Sequence, residues 1–468
     1  MARLNNPAMR TLFIAFSIAA LPAAAQLVRG EYPETRRSLE FHLNELASDA
    51  MGGRLPGTEQ GDRAAKYIQT QFEEAGLEGL FDGEFTQLVN IPEKGILPEA
   101  GNYVNIGAVG IALRTAYWPH ILSDNREVEG PLTWLGYATP SEVAKAKKGR
   151  IAVIVADIPA KKVKKLGKLA SLTERIEAAR RHGAQAIILL QPVNGSPKLD
   201  LLRRMRPIGM PVVTVHDLDA CTNLKKKAKK SAKASIGVHV VPQTTTAPNV
   251  GAWVNRGAPE TIVIGAHYDH VGWGAWGSRM PEAEGQVHNG ADDNASGTSA
   301  MMELARKISH TPGFEHVNFA FLAFTGEESG LLGSREFVSR MPSKMGKVKA
   351  MVNLDMVGRL NRSDSLRVYG VHTALEFREM LESIPAEGFY WDLRNEIFGR
   401  SDHAPFISAG IPAVFFFTGL HEDYHAPGDD IEKIDIDGLA EVVAKVDHFI
   451  SLLGQAGPLS VQTPNDAR

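Results

Sequence analysis

Cysteine is almost missing from this sequence of 468 residues, which contains only Cys221. One thiol excludes an intrachain disulfide and any thiolate-rich metal site, so a bound metal would have to be held by His, Asp and Glu. A large excess of one charge is also missing, because 51 Lys and Arg face 54 Asp and Glu, a formal net charge of -3. This balance argues against nucleic acid as a partner.

Long hydrophobic runs are missing too, since no stretch reaches the ~20 apolar residues that span a bilayer. An integral membrane protein is therefore not expected. The run at 12–21 is preceded by Arg3 and Arg10 and followed by an A-x-A pattern that ends at Ala25. This order is typical of a signal peptide at residues 1–25 and predicts export to a bacterial periplasm or to the outside of the cell. An uncleaved membrane anchor is the alternative.

The remaining composition is that of a folded protein with more than one domain. Hydrophobic residues make up 44% and charged residues 22%, which excludes disorder as the main state. Changes in pattern predict a main domain, a second domain at 105–242, called the insert below, and a loose polar tail at 457–468. Two lysine runs of the insert, 161–168 and 225–233, are interpreted as solvated surface, with an acidic partner as the alternative.

Buried strands alternate with helices in both predicted domains. In the main domain this pattern predicts an α/β fold with a mostly parallel central sheet and helices on both faces. Its strands are expected at Thr261–Ala266, Val317–Phe324, Lys349–Leu354 and Ala413–Phe417. The insert is expected to be a smaller α/β domain, with strands at Leu132–Leu135, Ile151–Val155, Ala186–Leu190 and Pro211–Val215 and a helix at Thr173–His182.

Acids and histidines follow the strands of the main domain, where ligands gather in parallel sheets. Taken one by one, several have a structural explanation, such as Asp and Asn that cap a helix. The adjacent carboxylates of Glu327 and Glu328 are harder to explain in this way, because they repel each other unless cations offset them. The clusters are HYD at 267–269, NGADDNASG at 289–297, TGEESG at 325–330, Asp355, SDH at 401–403 and YHAPGDD at 424–430.

Two histidines and three acids stand out as a metal-binding set. Nitrogen and carboxylate ligands suit zinc, and a pair of ions that share one carboxylate would use all five residues. Manganese or cobalt is compatible with the same residue types. The five residues are His267, Asp293, Glu328, Asp355 and His425.

These segments resemble the co-catalytic zinc exopeptidases, a family that includes secreted bacterial leucyl aminopeptidases and glutamate carboxypeptidase. The resemblance is carried by HYDH at 267–270, NGADDNASG at 289–297, FTGEESGLLGS at 324–334, NLDMVGR at 353–359, SDHAPF at 401–406 and YHAPGDD at 424–430. It implies the zinc exopeptidase fold for the main domain. The insert is similar to the protease-associated domain that many such enzymes carry, which implies that the main domain is discontinuous, at 26–104 and 243–456.

The resemblance also implies a role for each matched residue. Asp293 would bridge two zinc ions, with His267 and Asp355 completing one site and Glu328 and His425 the other. Asp293 is preferred to Asp292 because the shared segment runs from the bridging acid through Ser-Gly. Glu327 would be the general base, Asp269 would orient His267, and Tyr424 would donate to the oxyanion, with a packed tyrosine as its alternative.

The resemblance therefore predicts a zinc-dependent exopeptidase that acts on peptides, in the first place an aminopeptidase. A carboxypeptidase or dipeptidase of the same fold is the alternative enzyme, and it would need a basic pocket for a substrate carboxylate. A non-catalytic binding member of the superfamily is the alternative outside enzymes, although no ligand of the set is lost. Side-chain preference and oligomeric state are not predicted.

Overall fold

The computed structural model describes residues 30–159, 163, 171–192, 207–386, 388–396 and 399–462. The predicted signal peptide, nearly all of the lysine run at 161–168 and residues 463–468 lie outside these ranges. The helices are α1 (Pro33–Leu46), α2 (Glu59–Glu74), α3 (Pro140–Val143), α4 (Leu172–Arg181), α5 (Leu218–Lys229), α6 (Gly297–His310), α7 (Leu332–Ser339), α8 (Glu376–Ser383), α9 (His403–Ser408) and α10 (Ile436–Gln455).

The strands fall into two sheets. They are β1 (Glu78–Gly79), β2 (Thr86–Ile96), β3 (Tyr103–Ile106), β4 (Val109–Ile111), β5 (Tyr117–Pro119), β6 (Arg126–Gly136), β7 (Arg150–Val155), β8 (Ala184–Leu190), β9 (Val212–Val215), β10 (Lys233–Val238), β11 (Val241–Val254), β12 (Glu260–His267), β13 (Asn318–Phe324), β14 (Lys347–Leu354), β15 (Ser365–Tyr369), β16 (Tyr390–Leu393) and β17 (Ala413–Phe417).

The larger sheet has the strand order β1-β11-β13-β12-β14-β17-β15-β16, and β2 pairs with β11. Its centre is parallel, because β12 lies between β13 and β14 and β17 continues beside β14 in the same direction. Antiparallel strands β11 and β15 flank this centre. Every residue of β13 is buried, as expected for a parallel strand covered on both faces. The predicted α/β class and parallel centre are confirmed.

The smaller sheet has the order β4-β3-β10-β6-β7-β8-β9-β5, with β6 to β9 parallel. Its strands come from the predicted insert, except that β3 begins two residues before it at Tyr103. The long strands β2 and β11 pair antiparallel from Thr86 to Ile96 and carry the chain into and out of this region. The domain boundaries at 104 and 242 stay a prediction, but the described residues between them contribute only the start of β11, from Val241, to the larger sheet.

Helix α2 shows how local sequence produces a packed element. The Thr58 hydroxyl accepts a hydrogen bond from the Gly61 N–H at 3.2 Å and so caps the first turn. Ala64, Ile68 and Phe72 recur at a spacing of four and are buried. Burial of apolar side chains such as Ile68 and Phe72 contributes about 1.5–3 kcal/mol each, which fixes α2 against the sheet.

As far as Gln462, hydrogen bonds hold the C-terminal segment, in contrast to the loose tail that the sequence predicts. The N–H of Ser460 donates to the Glu376 carboxylate at 3.0 Å, and the N–H of Gln462 donates to the Thr373 carbonyl at 2.9 Å. These hydrogen bonds hold the segment 459–462 beside α8, because the acid at the start of that helix provides an acceptor for the passing backbone.

Among the described residues, no helix combines the length and the apolar composition needed to cross a membrane.

Candidate metal centre

The predicted residues meet where the parallel strands of the larger sheet end. His267 is the last residue of β12, and Asp355 directly follows β14. Glu327 and Glu328 follow the neighbouring β13, and the loop after β17 carries His425. Because these four strands are adjacent and parallel, their carboxyl ends bring the side chains together.

Asp293 lies at the middle of the cluster, with one carboxylate oxygen toward each predicted histidine. Its Oδ1 is 3.4 Å from Nε2 of His267. Its Oδ2 is 3.1 Å from Nε2 of His425. This is the arrangement expected of a carboxylate that bridges two ions. Asp292, the less favoured alternative, instead accepts from the Gly358 N–H at 2.7 Å, and its other oxygen lies 3.2 Å from Nε2 of His421.

Two groups of possible metal ligands share Asp293, and the ligand atoms in each group lie within 4.8 Å of one another. The first group adds His267 and Asp355, whose Nε2 and Oδ1 atoms are 3.4 Å apart. The second group adds Glu328 and His425, whose Oε2 and Nε2 atoms are 3.1 Å apart. It also contains His270, which the sequence analysis did not assign a role.

The donor atoms fit zinc. Ligands at about 2.0–2.2 Å from one tetrahedral zinc ion lie ~3.4 Å from each other, which matches the separations in both groups. Buried atoms that face the centre have no hydrogen-bond partner in the structure, among them Oδ2 of Asp293, Oδ1 of Asp355 and Nε2 of His425. Unpartnered buried polar atoms cost about 1–3 kcal/mol each, and bound cations would remove this cost.

Backbone carbonyls orient the two predicted histidine ligands. Nδ1 of His267 lies 3.1 Å from the carbonyl oxygen of Asp269, and Nδ1 of His425 lies 2.8 Å from the carbonyl oxygen of Gly277. An Nδ1–H that donates to these carbonyls leaves Nε2 unprotonated and directed into the cluster.

The carboxylate of Asp269 holds a different partner from the one expected. Its Oδ1 is 3.7 Å from Nδ1 of His267, too far for a hydrogen bond. Oδ1 accepts instead from the backbone N–H of Glu327 at 3.1 Å, and Oδ2 accepts from the backbone N–H of Glu328 at 3.4 Å. Asp269 therefore fixes the turn that carries both glutamates, whereas its backbone carbonyl orients the imidazole.

Buried hydrogen bonds that the sequence did not predict support the carboxylates. Ser401 Oγ donates to Oδ2 of Asp355 at 2.7 Å. The carboxylate of Asp429 accepts the backbone N–H of Asp293 at 3.0 Å, and Arg359 donates to Asp429 at 2.9 Å. Ser401 and Asp429 lie within the SDH and YHAPGDD segments. The sequence therefore marked these residues but did not show which hydrogen bonds they make.

Arg54 is a second residue that sequence reasoning missed. It is fully buried, and its guanidinium donates only to backbone carbonyls, including Tyr268 at 2.7 Å and Gly290 at 2.9 Å. It thereby ties the loop after β12 to the loop before α6. The neighbouring Gly53 has φ of +67°, and a Cβ there would lie 2.5 Å from the His288 carbonyl oxygen. The glycine before Arg54 in the segment MGGR at 51–54 therefore allows the two backbone segments to approach each other closely.

The electrostatics of the cluster show an excess of buried carboxylates. Burial raises the pKa of Asp293 to about 6, and the Glu328 charge adds to the rise. Burial also raises the pKa of Asp402 to about 7 and that of Glu327 well above its usual range.

The pKa values of the two predicted histidine ligands are also raised, but by a different cause. Burial opposes their protonation, but neighbouring carboxylates outweigh it, so the pKa of His267 lies well above 6.5 and that of His425 is raised to about 11. Without a metal, the carboxylates favour protonation of the histidines. Bound divalent cations would supply this positive charge instead.

Tyr424, the last of the predicted site residues, lies beside this centre, Arg400 directly precedes Ser401, and Trp273 lies in the loop after β12. The Tyr424 ring packs against the His425 ring with centroids 3.9 Å apart, and the Arg279 guanidinium lies 5.9 Å from the Tyr424 ring centre. Arg400 is exposed. Trp273 is 49% exposed in the loop that follows β12, a placement compatible with a pocket wall.

Comparison with known proteins identifies related sequences and folds. The sequence profile of peptidase family M28 matches residues 249–450. Aminopeptidase YwaD of Bacillus subtilis is 27% identical over 409 residues, which cover 84% of this chain and 80% of that protein. An aminopeptidase of Pseudomonas aeruginosa is 29% identical over 254 residues, but these cover 46% of this chain and 43% of that protein.

Solved structures share the fold across almost the whole chain. An aminopeptidase from Aneurinibacillus sp. strain AM-1 aligns with a TM-score of 0.57 at 22% identity and covers 91% of this chain and 96% of its own. The zinc aminopeptidase BSAP from Bacillus subtilis aligns with a TM-score of 0.55 at 22% identity and covers 92% of this chain and 99% of its own.

Proposed function

Because the chain belongs to peptidase family M28, we propose that it is a zinc-dependent aminopeptidase, which releases N-terminal residues from peptides. The family match confirms the resemblance drawn from the six motifs. The observation that carries the proposal is the position of Asp293, whose two oxygens face His267 and His425 beside the Glu327–Glu328 pair. The name of the Bacillus subtilis relative supports the choice of an aminopeptidase.

In the proposed centre, His267, Asp293 and Asp355 hold one zinc ion, and Asp293, Glu328 and His425 hold the other. Two zinc ions bound there would polarise the scissile carbonyl and lower the pKa of the attacking water. This choice of ligands uses three buried atoms that have no hydrogen-bond partner among the described residues, Oδ2 of Asp293, Oδ1 of Asp355 and Nε2 of His425.

Glu327 is the proposed general base. Its backbone N–H is held by Asp269 at 3.1 Å, and its side chain is half-buried and so remains within reach of a substrate. Its carboxylate takes the proton of the attacking water and then gives it to the leaving amine. Burial raises the pKa of Glu327, which makes its carboxylate a stronger base toward the attacking water.

Charge around the centre favours an N-terminal substrate over a C-terminal one. A carboxypeptidase needs a cation that is available to bind the substrate carboxylate. The buried arginines nearby are engaged, because Arg54 donates to backbone carbonyls and Arg359 donates to Asp429, and the exposed Arg279 lies against the Tyr424 ring at 5.9 Å. The excess of carboxylates instead suits the α-ammonium group of a free N-terminus. Tyr424 is the proposed donor to the developing oxyanion, because its ring lies against His425.

Export and domain organisation complete the proposal. The pattern at residues 1–25 supports a signal peptide, and the protein would then act in the periplasm or outside the cell. Residues 26–104 and 243–456 are proposed as the catalytic domain and 105–242 as a protease-associated domain. Sequencing the N-terminus of the exported protein tests the first point, with Gln26 expected as its first residue.

Activity is tested with matched peptides that carry either a free or an acetylated N-terminus. We expect the zinc-loaded protein to release the first residue of the free peptides only. A chelator should abolish this release, and added zinc should restore it. Chelator-sensitive release from the C-terminal end of the acetylated peptides would assign a carboxypeptidase instead. Cleavage of neither set by protein with two bound zinc ions would favour a binding protein.

A further inference from the structure

His270 occupies the second ligand group but differs from the two predicted histidine ligands. It is fully buried, and its Nδ1 lies 3.0 Å from Oε1 of Glu328 and 3.8 Å from Oδ2 of Asp293. We propose that His270 is a positioning residue, which donates a hydrogen bond from Nδ1–H to Oε1 of Glu328 and thereby leaves Oε2 to bind the metal. The proposal rests on the metal centre and not on the choice of peptide substrate.

The two ring nitrogens distinguish a positioning residue from a ligand. A histidine ligand normally donates its second ring N–H to an acceptor. His267 and His425 follow this rule, because Nδ1 of each faces a backbone carbonyl and Nε2 faces the metal centre. Among the residues that the structure describes, none is a hydrogen-bond partner of Nε2 of His270. If Nδ1 bound the metal, the proton would have to sit on Nε2 without an acceptor. With the proton on Nδ1, the hydrogen bond to Glu328 uses it.

The oxygens of Glu328 are divided between two imidazoles. Oε1 faces His270 at 3.0 Å, whereas Oε2 lies 3.1 Å from Nε2 of His425. A carboxylate that accepts a hydrogen bond on one oxygen presents the other to a cation in a fixed direction. His270 therefore sets Glu328 as a ligand through one oxygen.

The slot that holds the His270 ring is built by neighbouring residues. Gly290 has φ of +56°, and a Cβ at this position would lie 2.6 Å from both Cγ and Cδ2 of His270. On another side the His425 ring meets the His270 ring edge to face, at 5.4 Å and 88°. The carbonyl of Gly290 is itself held by Arg54 at 2.9 Å. These contacts restrict the imidazole to the direction in which Nδ1 reaches Glu328.

The test compares three substitutions that differ in where they place an N–H. The amide of Asn puts its nitrogen near the position of histidine Nδ1, whereas the amide of Gln puts it near Nε2. For His270→Ala we expect the affinity for one of the two zinc equivalents to fall by about 10–100-fold. His270→Asn should return to within a few-fold of the wild type, and His270→Gln should resemble His270→Ala. Zinc affinities of the metal-stripped proteins are measured by competition with a chelator of known affinity.

Two further measurements make the outcome decisive. In the Glu328→Gln background, His270→Ala should cause no additional loss, because the hydrogen bond to the carboxylate is already weakened. Thermal unfolding of the stripped variants shows whether the fold is kept, and His270→Asn provides a folded variant if His270→Ala is unstable. Wild-type zinc affinity in His270→Ala would overturn the proposal. Equal losses in the Asn and Ala variants would also overturn it and would assign His270 as a direct ligand. Because peptide cleavage is not the readout, failure of the aminopeptidase assignment remains a separate result.

Discussion

Ser401 donates a hydrogen bond to Oδ2 of Asp355 at 2.7 Å, so that Oδ1 of the same carboxylate is the oxygen that faces His267 at 3.4 Å. Ser401 in turn accepts from Nδ2 of Asn353 at 2.7 Å, which uses both hydrogen-bonding functions of the hydroxyl. A carboxylate held in this way needs no reorientation to bind a cation. The first proposed zinc site is thus supported by the segment that begins α9, at some distance in sequence from the strand that carries Asp355.

Ser401→Ala should weaken zinc binding in the site formed by His267, Asp293 and Asp355. Loss of a hydrogen bond to a metal-ligating carboxylate typically lowers metal affinity by about 10–100-fold. Chelator competition on the metal-stripped protein measures the change. Ser408→Ala is the matched control. Ser408 is exposed at the end of α9, the helix that follows Ser401, and donates to the Ala404 carbonyl. An equal loss in both variants would contradict a specific role for Ser401.

Most of the proposed ligands stand out in the sequence because they follow a buried strand of recognisable composition. A run such as Asn318–Phe324 contains no polar residue after its first, so the acids that follow it are marked by contrast. The convergence of these strand ends also follows from the parallel arrangement. The motifs favour one acid of each pair as a ligand, and this choice stays a prediction.

The supporting residues were not predictable in the same way. Arg54 lies 213 positions before His267 in the chain, and its role depends on four carbonyl groups that only the fold brings together. His270 was part of the HYDH segment, but sequence does not show which ring nitrogen faces Glu328. Such residues act through directions of hydrogen bonds, and these directions arise from tertiary packing.

Arg359 should matter to stability far more than its neighbour Arg362. Arg359 is buried and pairs with Asp429 at 2.9 Å, so Arg359→Met would leave that carboxylate buried without its cation. Breaking a buried pair in this way costs about 3–5 kcal/mol. Urea unfolding of the metal-stripped protein measures the loss.

Arg362→Met is the control for this prediction. Arg362 pairs with Glu422 at 2.6 Å, but their side chains are 40% and 71% exposed. Exposed pairs contribute roughly 0–1 kcal/mol, so this variant should unfold close to the wild type. Equal destabilisation of the two variants would show that the buried Arg359–Asp429 pair stabilises the fold no more than the exposed Arg362–Glu422 pair. Because Asp429 also holds the Asp293 N–H, Arg359→Met should in addition weaken zinc binding.

Acid should destabilise the protein partly through His42. Burial lowers the pKa of His42 from 6.5 to about 4, an effect that Glu303 opposes and Arg306 reinforces. Between these two pH values the unfolded chain binds more protons than the folded protein at this residue. The contribution of His42 to stability is therefore complete above pH 6.5, falls as the pH is lowered toward 4, and changes no further below that. A shift of this size corresponds to about 3 kcal/mol.

His42→Gln should remove this part of the pH dependence, because glutamine does not titrate. Free energies of urea unfolding at pH 7 and near pH 4 provide the comparison. His310→Gln is the control, since His310 is exposed at the end of α6. A pH dependence of the His42→Gln variant as steep as that of the wild type would contradict the assignment.

Glu327→Gln should separate catalysis from metal binding. The amide is close in size to the carboxylate, and the Glu327 N–H remains held by Asp269, so the turn and the ligand Glu328 should keep their positions. Because glutamine cannot accept the proton of the attacking water, kcat should fall by about 10²–10⁴-fold. Zinc content and thermal unfolding should match the wild type, and Glu379→Gln, an exposed glutamate on α8, should leave all three measurements unchanged. Loss of one zinc equivalent in Glu327→Gln would instead make Glu327 a ligand, and undiminished kcat would require a different base.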